Sequence, residues 1–406
     1  MVGGKTPVTN SKQTNIIAET LDRFHVELPS WGFANTGTRF GKFVQPAAAS
    51  TLDEKFSDAA EVHRLTGATP TLALHVLWDL PRGLADIAEV QSLERTTGIR
   101  SGSINPNLFQ DQQYKFGSLC NPSSDIRESA LQHVLDSIEI AKRLHARDIS
   151  LWLADGSNYP GTQSMRKRIE WLQEALNAAH RNLAPDQRLL VEYKPFEPAF
   201  YHTDIADWGM SSHLCHAAGP QAFVLVDTGH HYLSQNIEQI VTWLLHLELL
   251  GGFHFNDRRY ADDDLTLGSI DPYQIFRIFH EICQQLHSSQ SKSPLNAIAF
   301  MIDQSHNLKG KIEAMIQTVV TAQELWLKAA LIDRERLAAL QQSCDLVAAE
   351  ELFRGAFWLD VRPMVAAWRK SRGLAPDPLA ALRESGYVER ITRDRATRQS
   401  AVSSYA

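Results

Sequence analysis

The chain of 406 residues is long enough for two or three domains of ordinary size, or for one α/β barrel with extensions. Its composition, with 44% hydrophobic and 21% charged residues, is typical of globular proteins and excludes collagen-like, coiled-coil and disordered chains. Forty Lys and Arg residues against 47 Asp and Glu residues give a net charge of −7. We therefore expect neither nucleic acid nor an anionic membrane as a partner.

The cysteines and the apolar runs indicate where the protein resides. The four cysteines lie far apart without a CxxC pair, which favours buried thiols in a reducing compartment over disulfides or a thiolate metal site. No uncharged apolar run approaches the ~18 residues of a membrane span, and the first residues lack the apolar stretch of a secretory signal. We expect a cytoplasmic protein.

Eight short apolar runs alternate along the chain with stretches of helical period. Several runs are continuously apolar, as are parallel strands that are covered on both faces. Strand and helix repeated eight times predict an α/β fold of the (β/α)8 TIM barrel type. The predicted strands are His25–Phe33, Thr71–Trp78, Ile99–Asn105, Asp148–Leu153, Leu189–Lys194, Ala222–Asp227, Gly251–Asn256 and Ala297–Asp303.

Two segments lie outside this pattern. We predict an N-terminal arm over residues 1–22 with a short helix at 16–24, a barrel over residues 23–332 and a C-terminal helical extension over residues 333–406. Apolar residues at intervals of three and four predict the clearest barrel helices. These lie at 129–146, 164–183, 237–250, 273–286 and 308–332.

Each of the last four predicted strands carries a residue of metal-ligand type at or near its carboxyl end. In a barrel these ends open at one mouth, so side chains one βα unit apart meet on a single ring. A carboxylate at the end of an apolar strand is costly unless it is paired or coordinated. Three carboxylates and one imidazole favour Mn²⁺, Mg²⁺ or Co²⁺. The four residues are Glu192, Asp227, His254 and Asp303.

A second set of potential ligands lies alongside. His230 follows Asp227 by three residues, and the segment YADDDLTLG carries Asp262 and Asp264 on alternate positions of one loop. Taken alone, a buried Asp or His is more typical of a hydrogen-bonded core position, and a DDD run is more typical of a solvated loop. Together, with Asp227 free to bridge, they allow two ions in one site.

Other side chains are expected at the same mouth. Three polar residues are expected within reach of a bound molecule. His75 lies at the end of a predicted strand, and Lys194 and Ser305 each lie two residues beyond a predicted ligand. Indole and phenyl faces pack against the C–H faces of sugars, although aromatic residues at strand ends also serve as core. The aromatic candidates at the ends of the first four strands are Trp31, Trp78, Phe109 and Trp152.

Six longer motifs contain most of these residues. They are PSWGFANTGTRF (29–40), DGSNYPG (155–161), EYKPFEPAFY (192–201), LVDTGHH (225–231), GGFHFNDRRYADDDL (251–265) and MIDQSHN (301–307). Together they closely resemble the bacterial L-rhamnose isomerases of broad aldose and ketose specificity, which are xylose-isomerase-like barrels. The resemblance extends from about residue 25 to residue 390. Near Glu192, Tyr193 and Pro195 depart from the pattern we expect, which bears on substrate preference more than on metal binding.

The resemblance implies a homotetramer that depends on Mn²⁺, with Co²⁺, Mg²⁺ or Zn²⁺ as substitutes, and interconverts L-rhamnose and L-rhamnulose as well as related sugars such as D-allose and D-allulose. It implies a structural ion on Glu192, Asp227, His254 and Asp303, and a catalytic ion on His230, Asp262 and Asp264 with Asp227. It assigns catalysis to His75, Lys194, Asp303 and Ser305, and substrate contact to Trp31, Phe40, Trp78, Phe109 and Trp152. The loop with Arg39 and Phe40 would reach a neighbouring subunit.

Other activities use the same barrel. A ketose 3-epimerase places a similar quartet around one ion, but it gives no purpose to His230 and the DxD pair. A DNA-repair endonuclease would need more histidines at strand ends and a basic groove. A barrel that binds sugar without turning it over would have lost a ligand. For the isomerase itself, a direct hydride shift and an enediol route both stay open.

Overall fold

The computed structural model describes residues 11–35, 44–196, 202–287, 297–305 and 308–396. Eight parallel strands form a sheet in which each strand pairs with its neighbours in chain order. They are β1 (Leu28–Pro29), β2 (Thr71–His75), β3 (Arg100–Asn105), β4 (Asp148–Leu151), β5 (Arg188–Glu192), β6 (Ala222–Asp227), β7 (Leu250–Phe255) and β8 (Ala299–Ile302).

Backbone hydrogen bonds between the two ends of the sheet close it into a barrel. Glu27, directly before β1, forms a parallel bridge with Met301 of β8. The Glu27 N–H donates to the carbonyl of Phe300 at 2.8 Å, and the Glu27 carbonyl accepts from the N–H of Ile302 at 3.0 Å. The predicted (β/α)8 barrel is confirmed.

A helix follows every strand and packs on the outside of the barrel. The predicted periodic helices are all present, with ends shifted by a few residues. In chain order the helices are α1 (Ser11–Asp22) before the barrel, then α2 (Leu52–Thr66), α3 (Ile87–Thr97), α4 (Ser124–Arg143), α5 (Met165–Arg181), α6 (Trp208–Ala218), α7 (Ile237–His246), α8 (Pro272–His287) and α9 (Lys311–Ala330).

Two element boundaries differ from the prediction for local backbone reasons. The predicted first strand is cut short after Pro29, because residues 30–33 form a buried 3₁₀ turn in which the N–H of Ala34 donates to the carbonyl of Trp31. The predicted helix at 237–250 ends at His246, because Glu248 adopts a φ of 57° and turns the chain into β7. The 3₁₀ turn places the Trp31 side chain at the barrel mouth.

The C-terminal part of the described chain consists of five helices that pack against the barrel helices. Arg395 of the last helix donates to both carboxylate oxygens of Asp58 on α2, each at 2.9 Å. Trp368 donates its indole N–H to Asp22 of α1. The division into arm, catalytic barrel and extension stays a prediction. These helices are α10 (Arg334–Gln342), α11 (Leu346–Trp358), α12 (Arg362–Ser371), α13 (Pro378–Glu384) and α14 (Tyr387–Arg395).

Within the described ranges, no helix combines the length and the apolar character that crossing a membrane requires.

Candidate active site

Four strand ends bring the first set of predicted ligands together at the barrel mouth. Glu192 and Asp227 are the last residues of β5 and β6, His254 pairs in register with Asp227 from β7, and Asp303 directly follows β8. The Nδ1 atom of His254 lies 3.1 Å from Oε2 of Glu192 and 3.8 Å from Oδ2 of Asp303. We call Glu192, Asp227, His254 and Asp303 the carboxylate ring.

The second set of predicted ligands adjoins the carboxylate ring through His230. Nδ1 of His230 lies 3.0 Å from Oε1 of Glu192, and Nε2 lies 3.2 Å from Oδ2 of Asp262. That same Asp262 oxygen accepts from Nζ of Lys194 at 2.6 Å. Asp264 accepts a hydrogen bond from the Ser305 hydroxyl at 2.8 Å, next to the end of β8. The loop after β7 therefore contacts both sides of the mouth.

Among the residues of these two predicted sets, two groups of three side chains have the dimensions of a metal site. In each group the potential ligand atoms all lie within 4.8 Å of one another, and Asp227 belongs to both. The first contains Glu192 and His230, and the second contains His254 and Asp303. The sequence grouped Glu192 with Asp227, His254 and Asp303. In the structure its Oε1 lies near His230 and its Oε2 lies near His254, so Glu192 contacts one histidine of each predicted set.

The pKa values at the mouth reflect an excess of buried carboxylates. Burial raises the pKa of Asp227 to about 7, and the negative charges of Asp262 and Glu192 add to this effect against the opposing pull of His230. Burial also acts to raise the pKa of Glu192, but the imidazoles of His254 and His230 outweigh it and lower that pKa to about 2. Burial acts to lower the pKa of His254, but the carboxylates of Glu192, Asp303 and Asp227 outweigh it and raise that pKa to about 9. Negative charge is thus only partly neutralised by the chain.

The donor set fits divalent cations. Five carboxylates, those of Glu192, Asp227, Asp262, Asp264 and Asp303, share one lysine and two histidines. Oδ1 of Asp227 is fixed by the N–H of Gly229 at 2.6 Å and by Nδ2 of Asn256 at 2.9 Å. Its buried Oδ2 accepts no hydrogen bond from any described residue. An oriented, desolvated carboxylate oxygen without a donor is suited to binding a cation.

The predicted aromatic side chains form a continuous wall beside the carboxylate ring. His75 stacks on Trp78, with ring centroids 3.9 Å apart, and makes edge contacts with Trp31 and Phe109. Phe109 contacts Trp152 at 4.7 Å, and the ammonium of Lys194 lies 5.5 Å from the Trp152 ring. Nε1 of Trp31 donates to Oδ1 of Asp303 at 2.8 Å, so the wall and the ring touch directly.

His75 is a neutral imidazole within this wall. Burial lowers its pKa to about 4, against the weaker opposing effects of the Val76 carbonyl and Asp79. Its Nδ1 lies 3.2 Å from the carbonyl of Val76, and its backbone N–H donates to Oδ2 of Asp79 at 2.7 Å. A hydrogen-bonded Nδ1–H leaves Nε2 as an acceptor at neutral pH. Phe40, the remaining predicted substrate residue, and Arg39 lie outside the described residues.

The fold agrees with comparisons to known proteins. Residues 70–283 match the xylose isomerase-like TIM barrel family. The chain belongs to this family. A probable sugar isomerase from Rhizobium meliloti (strain 1021) is 38% identical over 378 residues, which cover 92% of this chain and 86% of the relative. Another probable sugar isomerase, from Mesorhizobium japonicum, is 37% identical over 385 residues, with 93% and 88% covered.

The family fold also occurs in solved structures. A structure of L-ribulose 3-epimerase has a TM-score of 0.54 at 11% identity and covers 80% of this chain and 98% of its own. At that identity, the likeness shows the shared barrel alone.

Several residues at the mouth were not found from the sequence. Asn256 holds Asp227, and its position two residues after His254 on the same strand face was an available signal. Arg258 lines a cavity of about 390 Å³ together with Lys194 and Asp262. The Tyr193 hydroxyl lies 2.7 Å from Nε2 of His231, behind the ring. Neither Arg258 nor His231 occupies a strand end, so spacing gave no signal for them.

In a further acidic group near the mouth, the carboxylates are bonded to backbone N–H groups and to an arginine of the protein. Potential ligand atoms of Cys120, Asp155 and Asp204 lie within 4.8 Å of one another. Asp155 accepts from the backbone N–H groups of Ser118 and Cys120, and the fully buried Arg168 pairs with Asp204 at 2.7 Å. Burial raises the pKa of the Cys120 thiol well above its usual value. We call Cys120, Asp155, Arg168 and Asp204 the Arg168 cluster.

Proposed function

We propose that the protein is a metal-dependent aldose–ketose isomerase that interconverts L-rhamnose and L-rhamnulose and accepts related sugars such as D-allose and D-allulose. The observation that carries the proposal is the pair of metal-sized groups joined by Asp227 and bordered by an aromatic wall. Family membership and two relatives described as probable sugar isomerases support the reaction class. The choice of sugar rests on the six motifs that resemble the L-rhamnose isomerases.

We assign two divalent cations, Mn²⁺ in the first place, to the carboxylate ring and to His230, Asp262 and Asp264. The ion at His230, Asp262 and Asp264 would be the catalytic one and would act as a Lewis acid toward the oxygens at C1 and C2 of an open-chain sugar, whereas the ion in the carboxylate ring would be structural. The oriented Asp227 carboxylate would serve both positions, since it belongs to both metal-sized groups.

The reaction moves one hydrogen from C2 to C1 and one proton from O2 to O1. Lys194 supplies an ammonium group that is fixed by Asp262 at 2.6 Å and lies against Trp152. Positioned in this way, it donates a hydrogen bond to the substrate oxygen on which negative charge develops. The Trp31 indole and the Ser305 hydroxyl hold Asp303 and Asp264 in place. The aromatic wall packs against the C–H face of the sugar and excludes water.

His75 is assigned to ring opening. As a neutral base it takes the proton from the O1 hydroxyl of the cyclic sugar while the C1–O5 bond breaks, and the proton is returned to O5. Its burial keeps the imidazole neutral down to about pH 4, so the base is available across the neutral range. The flanking rings of Trp31, Trp78 and Phe109 restrict its orientation.

We also propose a cytoplasmic homotetramer, in which the loop with Arg39 and Phe40 reaches a neighbouring site. Four free cysteines, three of them buried, support a reducing location. Light scattering of the metal-loaded protein tests the assembly. A mass of four chains is expected, and a monomer would contradict the proposal.

Activity on a panel of sugars tests the proposal as a whole. The protein is stripped with a chelator, reloaded with Mn²⁺ and incubated with L-rhamnose, L-mannose, L-lyxose, D-allose and D-allulose. We expect ketose from L-rhamnose at the highest kcat/KM, and no turnover before metal is returned. Conversion of D-allulose to D-fructose without any aldose product would contradict the isomerase and support a ketose 3-epimerase.

A further inference from the structure

We propose a second ligand site at the opposite, N-terminal end of the barrel, which binds the phosphate group of a small oxyanion or phosphorylated sugar. A cavity of about 380 Å³ opens there. It is lined by the first residues of several strands, among them Thr71, Arg100, Asp148 and Ala299. The packed interior residues Leu190, Leu225 and Met301 lie within the barrel between its two ends. The cavity is therefore distinct from the mouth.

Basic groups predominate in the lining of this cavity. It contains three arginines and two histidines against two carboxylates; the basic residues are Arg23, Arg100, Arg147, His25 and His145, and the acidic residues are Glu27 and Asp148. Counting only the arginines and the carboxylates, the formal charge of the lining is +1. A positive cavity in a chain of net charge −7 is a local exception to its overall charge.

Both carboxylates of the lining are already bonded within the protein. Asp148 pairs with Arg147 at 2.9 Å and with Arg188 at 2.7 Å. Oε1 of Glu27 accepts from the N–H of Ser103 at 2.8 Å and from its hydroxyl at 2.6 Å. Both acids therefore already have bonding partners. Of the three lining arginines, Arg147 pairs with Asp148 and Arg23 lies 3.3 Å from Glu19, which leaves Arg100.

Two donors in the lining have no partner among the described residues. The exposed Arg100 side chain makes no hydrogen bond or ion pair there. The hydroxyl of Ser101, a residue only 5% exposed, makes no hydrogen bond either. The charge of Arg100 reaches the cavity, since it adds to burial in lowering the pKa of His25. Ser101 is thus a buried donor without an acceptor, and Arg100 adds positive charge to the lining of the same cavity.

A phosphate group has the required chemistry. Its oxygens accept hydrogen bonds from a guanidinium in a bidentate manner and from hydroxyl groups, and its charge is opposite to that of the lining. The cavity is larger than a bare phosphate needs, so it has room for the sugar of a sugar monophosphate. Inorganic phosphate and a phosphorylated sugar share this recognition chemistry, and the experiment separates them.

Isothermal titration calorimetry on the full chain, loaded with Mn²⁺ and freed of excess metal, tests the site. The probes are inorganic phosphate, an aldohexose 6-phosphate and the same unphosphorylated aldohexose. Arg100→Gln is expected to weaken phosphate binding about 10- to 100-fold, as the loss of a charge-assisted hydrogen bond would. Ser101→Ala is expected to weaken it about 5-fold. Both variants should keep the parent kcat/KM toward sugar when phosphate is absent.

Arg336→Gln is the matched control, because Arg336 is an exposed arginine of α10 outside the cavity. It should bind phosphate within about 2-fold of the parent. Binding of either phosphate-bearing probe supports the site, and the tighter one identifies the source of the phosphate group. The proposal is overturned if neither binds at about 10 mM, a level that detects even millimolar affinity. It is also overturned if binding is equal in the Arg100 and Ser101 variants and the parent, or if saturating sugar at the mouth displaces phosphate.

Discussion

Two buried acidic groups near the barrel mouth look alike in geometry and differ in how their charge is balanced. In both the carboxylate ring and the Arg168 cluster, three potential ligand atoms lie within 4.8 Å of one another. In the Arg168 cluster, backbone N–H groups bind Asp155 and a guanidinium binds Asp204. In the ring, Oδ2 of Asp227 has no donor among the described residues. Closeness alone therefore does not distinguish the two groups, whereas the oriented Asp227 oxygen without a donor favours the carboxylate ring as the candidate metal site.

The difference between the two groups is tested most directly by replacing an aspartate with asparagine in each of them. Asp227→Asn should lower kcat/KM by about 10³-fold or more, because it removes a charged oxygen at the reacting centre. Asp155→Asn, the matched control, should retain activity within about 10-fold in the folded protein, because Asp155 touches neither substrate nor ligand. Steady-state kinetics with Mn²⁺ on both variants checks this. Equal losses in the two would contradict the distinction.

For stability, in contrast to activity, a substitution in the Arg168 cluster should have a larger effect than one in the carboxylate ring. Arg168→Met leaves the carboxylates of Asp155 and Asp204 buried without their cation, so it should lower the free energy of unfolding by about 3–5 kcal/mol. Asp227→Asn should leave the metal-free protein at least as stable as the parent, since it removes a buried, repelled carboxylate. Urea unfolding of the metal-free proteins measures both. A strong destabilisation by Asp227→Asn would show that the negative charge of the carboxylate ring, too, is balanced by groups of the protein.

His75 predicts a pH dependence of stability. Its pKa in the folded protein is about 4 against 6.5 when unfolded, so between these values the unfolded state binds more protons. Its contribution to stability is therefore full above pH 6.5 and declines by about 3 kcal/mol as the pH falls toward 4. His75→Asn lacks this dependence, so the parent and variant unfolding curves should converge on acidification. A difference that stays constant with pH would show that His75 is not buried as described.

The outer part of the aromatic wall should have the smallest effect. Trp78 is 37% exposed and contributes mainly its stacking on His75. Trp78→Leu should lower kcat/KM about 3- to 10-fold, the value of one aromatic contact. Trp78→Phe, which keeps a ring, should recover most of the loss. A loss of 100-fold in the leucine variant would place Trp78 closer to the reaction than the wall implies.

The barrel strands and the candidate ligands at their ends could be predicted from the sequence, because both follow from strand periodicity. Glu192 and Asp227 lie at strand ends one βα unit apart, and the barrel geometry then brings them together. The Arg168 cluster was not predicted, because its residues come from three loops and a helix whose meeting depends on tertiary packing. The 3₁₀ turn after Pro29 was also missed, since its apolar residues have no period that separates a strand from a tight turn. The local sequence pattern thus located the candidate ligands, and tertiary contacts decide which carboxylates have their charge balanced by the protein.

A count of bound ions tests the proposed metal pair most directly. Isothermal titration of the chelator-treated full chain with Mn²⁺ should give two ions per chain, and Asp227→Asn should weaken binding at both positions. One ion per chain, or two ions that bind the Asp227→Asn variant as tightly as the parent, would contradict a metal pair joined through Asp227.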